Sequence, residues 1–167
     1  IDDPLPSAML DQLAGRGVDA ARVVRDAVFA LKRGQTTLPP RPAALRHSAD
    51  LRFVRAEIDR LEQLGHTPDG KRILTGRLDP SGALMRELAI ARERSFRAAG
   101  EGTGLAADVD RFDAHYDQIL LWDDNRQSLV GGYRVAACDP VLKARGLDGL
   151  YTASLFRFGP GFADRLS

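Results

Sequence analysis

Two strand-like segments joined by a short polar turn most constrain how this chain folds. The first segment is YDQILLW (residues 116–122), the turn is DDNRQ, and the second segment is SLVGGYRVA (128–136). Apolar, β-branched and aromatic residues on both sides of such a turn predict an antiparallel hairpin. Gly131 and Gly132 would weaken an ordinary strand, so we predict a bulge or a close backbone approach there.

Helical patterns and one more strand precede this hairpin. Apolar residues recur at helical spacing over residues 19–33 and over about 49–63, with Gly65 closing the second helix. A proline-containing linker separates the two helices. KRILTGRL (71–78) predicts a strand, and GLYTASLFRF near the end predicts another.

A further helix is predicted over about 82–99, with Asp79 or Ser81 capping its first amides. The whole order is two helices, then β–α–loop–β–β–β, which predicts an α/β (α+β) fold. We place a boundary near residues 65–70, so the segments are 1–36, 37–70 and 71–167.

Composition excludes several classes of protein. The 167 residues are 44% hydrophobic and 28% charged, so the chain can bury a core. The net charge of +1 gives no overall attraction to nucleic acid, and no apolar run approaches the roughly 20 residues of a membrane-spanning helix. The single cysteine, Cys138, excludes an internal disulfide and is expected to be a small buried apolar residue.

Charge is nevertheless uneven along the chain. Residues 21–55 hold eight lysines and arginines against Asp26 and Asp50. This segment is predicted either to face anionic lipid or to be a solvated surface. The chain starts at Ile1 without a methionine and stops where a helix begins, so we expect a fragment of a longer protein.

Three aspartates lie just before the hairpin, at positions 108, 110 and 113. A calcium loop needs glycine at its sixth position and an acidic residue at its twelfth. Counted from Asp108, these positions are Asp113 and Ile119. We therefore predict no metal site in this stretch.

An acidic cluster paired with arginines is the second interpretation. Arg92 interrupts the apolar stripe of the preceding helix, and an arginine drawn inward needs a carboxylate because an unpaired buried charge is costly. The aspartates follow directly and Arg134 on the second hairpin strand offers another inward cation. The alternative is that Arg92 reaches solvent and the aspartates cap local turns.

Four motifs in this order resemble one branch of the GNAT-like enzymes. They are R-x-x-x-F (92–96), D-x-D-x-x-D (108–113), V-G-G-Y-R (130–134) and Y-T-A-S-L-F (151–156). The branch contains the ornithine acyl-carrier-protein N-acyltransferases and the acyltransferases named hemolysins. The chain is most similar to the version fused behind a glycerolipid acyltransferase domain in bifunctional ornithine lipid synthases.

The resemblance implies a domain plan. Residues 1–36 would be the tail of the glycerolipid acyltransferase domain, 37–70 a linker and helix, and 71–167 the first half of a GNAT-like acyl-CoA N-acyltransferase fold. The front domain's H-x-x-x-x-D pair is absent, since the residues five after the three histidines are Arg52, Lys71 and Leu120. Its catalytic centre is therefore expected upstream of residue 1.

The resemblance also implies a reaction and a site. A fatty acyl group would move from acyl carrier protein or coenzyme A to the α-amine of an amino acid such as ornithine or glycine, with no tightly bound cofactor. The implied catalytic residues are Arg92, Asp108, Asp110, Asp113 and Arg134. The implied substrate-binding residues are Phe96, Trp122, Gly131, Gly132, Tyr151, Ser154 and Phe156, although Phe96 and Trp122 are also consistent with plain core positions.

Partners and rivals follow from the same resemblance. The partners would be acyl carrier protein, the amino-acid substrate and an anionic membrane touched from the cytoplasmic side. Where acyl-homoserine-lactone synthases have W-E-x-S-R-F, this chain has Thr152 and Leu155 in place of the acid and the arginine, which argues against lactone formation. The rival functions are coenzyme A-dependent N-acetylation of a small amine and a non-catalytic module that binds lipid or carrier protein.

Overall fold

The structure is a computed structural model that describes residues 42–159 together with residues 24, 25, 28, 161, 162 and 165. Its helices and strands are α1 (Leu51–Ile58), β1 (Glu62–His66), β2 (Arg72–Gly76), α2 (Ala83–Ala99), β3 (Asp117–Asp123), β4 (Ser128–Val135) and α3 (Cys138–Arg145). Two short 3₁₀ turns, Leu147–Gly149 and Tyr151–Ser154, follow α3.

The four strands form one antiparallel sheet in the order β1-β2-β3-β4. Helices α1 and α2 pack on each other and on one face of the sheet. The core between them consists of apolar side chains from α1, β2, α2 and β3: Val54, Ile58, Leu74, Leu84, Met85, Leu88, Ala89, Leu120 and Trp122. This mixture of helices and antiparallel sheet confirms the predicted α+β class and is consistent with a partial GNAT fold.

The predicted hairpin is confirmed as β3 and β4, including the irregularity near its glycines. Leu121 pairs with Gly131 and Trp122 pairs with Leu129, so Val130 is an extra residue on β4. A Cβ on Gly132 would lie 2.9 Å from Leu120 Cδ2 and 3.1 Å from Leu88 Cδ1. The glycine therefore lets β4 approach the core where a side chain would collide.

The helix predicted over 49–63 is shorter than expected. It ends at Ile58, and Glu62–His66 is instead a strand that contains Gly65 and pairs with β2. Most side chains of β1 are exposed, so the strand has no hydrophobic alternation that sequence could reveal. Pairing with β2, a tertiary contact, decides its conformation.

The start of α2 also differs from prediction. Its N-cap is Gly82, and the side chain of Asp79 accepts hydrogen bonds from Ser81 rather than from the helix. The first helical amides donate instead to the Glu57 carboxylate of α1, at 2.8 Å from Ala83 N and 3.1 Å from Leu84 N. A carboxylate at this helix end is favourable because the amide dipoles leave positive charge there.

The predictions for the last part of the chain are wrong in three respects. Residues 138–145 form helix α3, which was not predicted, and the strand expected over 149–158 is absent from the described residues. The two 3₁₀ turns close through local hydrogen bonds: Gly149 N donates to Gly146 O in the first, and Ala153 N donates to Leu150 O in the second. Cys138 is exposed rather than buried, because it lies in the first turn of α3.

Most of the predicted helix 19–33 lies outside the described residues, and residues 24, 25 and 28 are helical. The linker runs beside the loop after α2, with Ala43 N donating to Gly104 O and Arg46 N to Ala106 O, each at 2.9 Å. Elements on both sides of residue 70 share one sheet and one core, and the division at residues 36 and 70 between domains stays a prediction. Across the described part of the chain, none of the helices combines the length and apolarity that crossing a bilayer requires.

Candidate active site

Arg92 on α2 points inward, as one of the two interpretations of the sequence predicts. Its Nε lies 3.1 Å from Asp108 Oδ2, and its Nη1 lies 2.9 Å from Asp113 Oδ1. The Arg92 side chain is 18% exposed and that of Asp113 is fully buried. The interpretation in which Arg92 reaches solvent is therefore not the arrangement seen.

Arg134 reaches the same aspartates from β4. Its Nη1 lies 2.6 Å from Asp110 Oδ1 and 3.1 Å from Asp113 Oδ1. Asp113 Oδ1 thus bridges two guanidinium groups that come from a helix and a strand. The pairing links α2, the aspartate loop and the sheet at one point.

The aspartate loop is held by its own backbone as well. Asp110 Oδ1 accepts from Phe112 N at 2.8 Å, and Asp113 Oδ2 accepts from Asp110 N at 2.9 Å. Asp108 N donates to Ala89 O of α2 at 3.1 Å. Aspartate side chains readily accept hydrogen bonds from backbone amides two or three residues away, which explains why D-x-D-x-x-D closes into a compact turn. The aspartates therefore cap a local turn and pair with the arginines at once.

Three carboxylates and two guanidiniums leave this cluster with one excess negative charge. Burial raises the pKa of Asp108 above its ordinary value, and the neighbouring Asp110 and Asp113 add to that rise despite the attraction of Arg92. Burial also acts to raise the pKa of Asp110, but the hydrogen bonds from Arg134 and from the Phe112 amide outweigh it, so that pKa is lowered. Asp108 is accordingly the carboxylate that takes up a proton more readily, whereas Asp110 stays ionised.

Aromatic rings surround the Arg134 guanidinium. Its Cζ lies 4.8 Å from the centroid of Tyr151 and 5.6 Å from the centroids of Phe112 and Tyr116. Tyr151 is held there because its backbone N donates to the Tyr116 hydroxyl at 2.9 Å. His115 Nε2 lies 2.9 Å from the Gly149 carbonyl oxygen. These contacts join the Y-T-A-S-L-F motif to the aspartate loop.

Within the described ranges, Phe96, Trp122, Ser154 and Phe156 make no hydrogen bond or ring contact with the five charged residues. Phe96 is 40% exposed on α2, and Phe156 is 63% exposed beyond the second 3₁₀ turn. Ser154 donates its hydroxyl to the Tyr151 carbonyl at 2.6 Å. Trp122 is 1% exposed, four residues along β3 from Gln118, which corresponds to about 13 Å of extended strand. The structure thus brings together the five charged residues with Tyr151, and Gly131 and Gly132 lie on the same strand as Arg134.

Several residues that support the site were not predicted from the sequence. Gln118 is 2% exposed and donates to Asp113 Oδ1 at 3.4 Å, and the rings of Phe112 and Tyr116 flank Arg134. Gln118 lies on the inward face of β3 with Leu120 and Trp122. A glutamine at an apolar position of an alternating strand was the available signal, because a buried amide needs a polar partner.

Glu93 is a further buried carboxylate, and its role was not predicted from the sequence. Its side chain is fully buried and accepts from Arg97 Nε at 2.6 Å, from Thr103 N and Oγ1 at 3.0 and 2.6 Å, and from Gly104 N at 3.0 Å. These bonds shape the loop E-G-T-G (residues 101–104) that follows α2. Burial acts to raise the pKa of Glu93, but the hydrogen bonds from Thr103 and Arg97 outweigh it, so that pKa is lowered.

We expect Glu93→Gln to lower the free energy of unfolding by at least about 2 kcal/mol, because the amide leaves buried donors of the loop without a charged acceptor. The lowered pKa means that Glu93 stabilises the fold above its ordinary value of 4.5 and that this stability is lost as pH falls through the folded value. Urea denaturation at pH 7 and pH 4 measures both effects. The variant should lose less stability on acidification than the native chain does, and the exposed Glu101→Gln is the matched control. Equal losses in the two variants would contradict this role.

No group of three or more histidine, cysteine, aspartate or glutamate side chains is arranged to hold a metal ion within the described ranges. The arginines occupy the space between the aspartates where a cation would bind. The arrangement instead offers two neighbouring carboxylates, the buried Asp108 and the partly exposed Asp110, backed by a fixed network. Such a pair can attract an ammonium group and accept its proton.

Residues 91–166 match the acetyltransferase (GNAT) domain. The match starts on α2, one residue before Arg92, and covers the three aspartates, the hairpin, Arg134 and the segment with Tyr151. We refer to residues 91–166 as the GNAT segment. Every member of the charged cluster therefore lies in the GNAT segment, whereas α1, β1 and β2 precede it.

Two curated relatives share this similarity. The glycine N(alpha)-acyltransferase of Bacteroides thetaiotaomicron is 37% identical over 83 residues, which are 47% of this chain and 25% of that protein. The glycine N(alpha)-acyltransferase of Phocaeicola vulgatus is 39% identical over 83 residues, which are 47% of this chain and 26% of that protein. The chain thus spans about a quarter of the length of the curated relatives it matches. No solved structure matches it significantly.

Proposed function

We propose that this chain is part of an N-acyltransferase that transfers a fatty acyl group from an acyl carrier protein or coenzyme A thioester to the α-amine of an amino acid. Glycine is the first acceptor to test, because both relatives carry the name glycine N(alpha)-acyltransferase. Ornithine is the second, from the resemblance to ornithine lipid synthases. The product would be an aminolipid or its precursor.

The observation that carries the proposal is the charged cluster in the GNAT segment. Arg92 and Arg134 fix three aspartates and leave one excess negative charge, while Asp110 keeps 31% of its side chain exposed. A partly exposed anionic site suits a substrate that arrives as an ammonium ion. Two rigid arginines keep the carboxylates in place when the substrate is absent.

The reaction assigns different roles to the aspartates. Ionised Asp110 would attract the ammonium group, and Asp108 would accept its proton directly or through water. The free amine would then attack the thioester carbonyl, forming a C–N bond, and collapse of the tetrahedral intermediate would break the C–S bond. After attack the nitrogen would lose a second proton, which the leaving thiolate takes up, and the first proton would pass from Asp108 to solvent.

The negative oxygen that forms during attack needs hydrogen-bond donors. Among the described residues β4 is an edge strand, so alternate amides of its backbone point away from the sheet. Apart from the chain neighbours of Gly131, none of the described residues has an atom within 4 Å of where its Cβ would be, which leaves room for a substrate beside the backbone. These features support the glycine pair as the place where the thioester carbonyl lies.

Further parts of the proposal concern the setting of the reaction. Exposed arginines 46, 52 and 55 in the described part of the basic segment support peripheral contact with anionic lipid at the inner face of the cell membrane. Acyl carrier protein is the proposed donor partner, and a preceding glycerolipid acyltransferase domain is proposed from the sequence resemblance. The protein would then acylate a hydroxyl with one domain and an amine with the other.

The test uses the full-length protein with one acyl chain supplied on acyl carrier protein or on coenzyme A, and with glycine, ornithine or no amino acid. Mass spectrometry identifies the product. An acyl amino acid that depends on the added amino acid supports the proposal. Turnover only with acetyl-coenzyme A and a small amine supports the rival acetyltransferase, and absence of any turnover supports the non-catalytic rival.

We expect Asp110→Asn to raise the KM for the amino acid more than it lowers kcat, because its charge serves mainly to attract the ammonium group. The matched control is Asp117→Asn, since Asp117 pairs with exposed Arg77 at 2.8 Å and neighbours Gln118 on the opposite face of β3. Steady-state kinetics of the full-length enzyme measure KM and kcat for both variants. An unchanged KM in Asp110→Asn would contradict this role.

A further inference from the structure

A cavity lies away from the charged cluster. It has a volume of about 300 Å³ and is bounded by residues 48–54, α2 and the end of the β3–β4 hairpin. Its apolar wall includes Val54, Ile90, Ala91, Trp122 and Leu129. This volume is at the lower end of the range for small-molecule sites, about 300–1,000 Å³. Neither the proposed reaction nor the relatives' names assign a ligand to it.

Three of the polar side chains in the wall, those of Arg94, Gln127 and Glu87, give the cavity a definite chemistry. Arg94 is exposed and has no carboxylate partner within the described ranges. Gln127 Oε1 is buried and accepts no hydrogen bond from any described group. One carboxylate oxygen of Glu87 is already engaged, because Oε1 accepts a hydrogen bond from Ala49 N at 2.5 Å. The wall therefore offers an unpaired cation and an unpaired acceptor beside apolar surface.

A ligand that satisfies this wall needs three matching features. An anionic group would pair with Arg94, an N–H or O–H donor would bond to Gln127 Oε1, and a short apolar body would cover Trp122 and Ile90. A buried acceptor without a partner costs free energy. A donor on the ligand therefore strengthens binding beyond what the buried apolar area contributes. A simple fatty acid has the anion and the chain but no such donor near its head when ionised.

We propose that this cavity binds a small amphipathic carboxylate that carries an amide N–H or hydroxyl near its head group. The site is separate from the charged cluster, because Trp122 and Gln118 lie about 13 Å apart along β3 and Leu120 with Leu88 fills the core between them. Ligand binding here is therefore measurable without any transfer reaction. It neither requires the proposed function nor fails with it.

The chain contains one tryptophan, and that tryptophan lines the cavity. Its emission is thus a direct reporter, and N-octanoylglycine is the probe. The methyl ester of that probe removes the anion, and octanoyl glycolate replaces the amide N–H by an ester oxygen. We expect a saturable change in Trp122 emission with N-octanoylglycine, and binding weaker by about tenfold for the methyl ester and severalfold for the glycolate.

Variants test the same contacts from the protein side. Arg94→Gln is expected to weaken binding of N-octanoylglycine by about tenfold, whereas Arg86→Gln, an exposed arginine elsewhere on α2, should leave it unchanged. Ala91→Phe should fill the cavity and abolish binding. Circular dichroism shows whether this variant folds. If it does not fold, the smaller Ala91→Leu takes its place. Absence of saturable emission change, or equal binding of the probe and its methyl ester, or equal binding by Arg94→Gln and Arg86→Gln, would overturn the proposal.

Discussion

Replacing Asp113 with alanine is expected to lower the free energy of unfolding by about 3–5 kcal/mol, the cost of breaking a buried ion pair from one side. Asp113 is fully buried and its Oδ1 joins Arg92 and Arg134. Its removal leaves two mostly buried guanidiniums with fewer partners and the Asp110 amide without its acceptor. Urea denaturation followed by Trp122 emission measures the change.

Two further variants define what the loss means. Asp113→Asn keeps the side-chain shape and one acceptor but removes the charge, so its loss should be smaller than that of the alanine variant. Asp69→Ala serves as the surface control, because Asp69 lies in the exposed turn between β1 and β2 and pairs only with residues of that turn. Similar stability for Asp113→Ala and Asp69→Ala would show that the cluster is not a structural centre.

Replacing Asp108 with asparagine is expected to reduce kcat/KM for acyl transfer by about 10²–10⁴-fold in the full-length enzyme, the usual contribution of a positioned acid or base. The same substitution should not lower stability at neutral pH. Asparagine still offers an oxygen to Arg92 Nε, and Arg92 retains Asp113. A large loss of activity without a loss of stability is the signature that separates a reacting carboxylate from a structural one.

The sign of the stability effect follows from the raised pKa of Asp108. The folded state binds this proton more tightly than the unfolded state does, so the group stabilises the fold at low pH. That contribution is lost as pH rises from the ordinary value of 3.8 through the folded value, and ionised Asp108 is then a cost that asparagine removes.

The pH profile of kcat/KM provides the decisive measurement. Activity should rise with an apparent pKa above 3.8 as Asp108 loses its proton, and this acidic limb should be missing from the residual activity of Asp108→Asn. A limb that persists unchanged in the variant would assign the proton transfer to another group. Full activity in the variant would remove Asp108 from the reaction.

Local sequence was sufficient to predict the elements whose own residue pattern is strong. The hairpin of β3 and β4, the irregularity at Gly131 and Gly132, and helix α2 were all predicted close to their observed limits. Strand β1 and helix α3 were not, because β1 is exposed and depends on pairing with β2, and α3 is short with little apolar periodicity. Short elements take their conformation from tertiary contacts, which spacing along the chain does not contain.

The site divides in the same way. The sequence alone placed Arg92 within an apolar stripe with three aspartates after it, and left two arrangements open: Arg92 paired with an acid, or Arg92 reaching solvent. The structure shows the first. Only the tertiary structure decided that Arg134 joins them across the sheet, that Asp113 lies between both guanidiniums, and that Glu93 and Gln118 support the surrounding loop. Residues within a helix or a turn meet through fixed local geometry, whereas groups on a helix, a loop and a strand meet only after the core between them has packed.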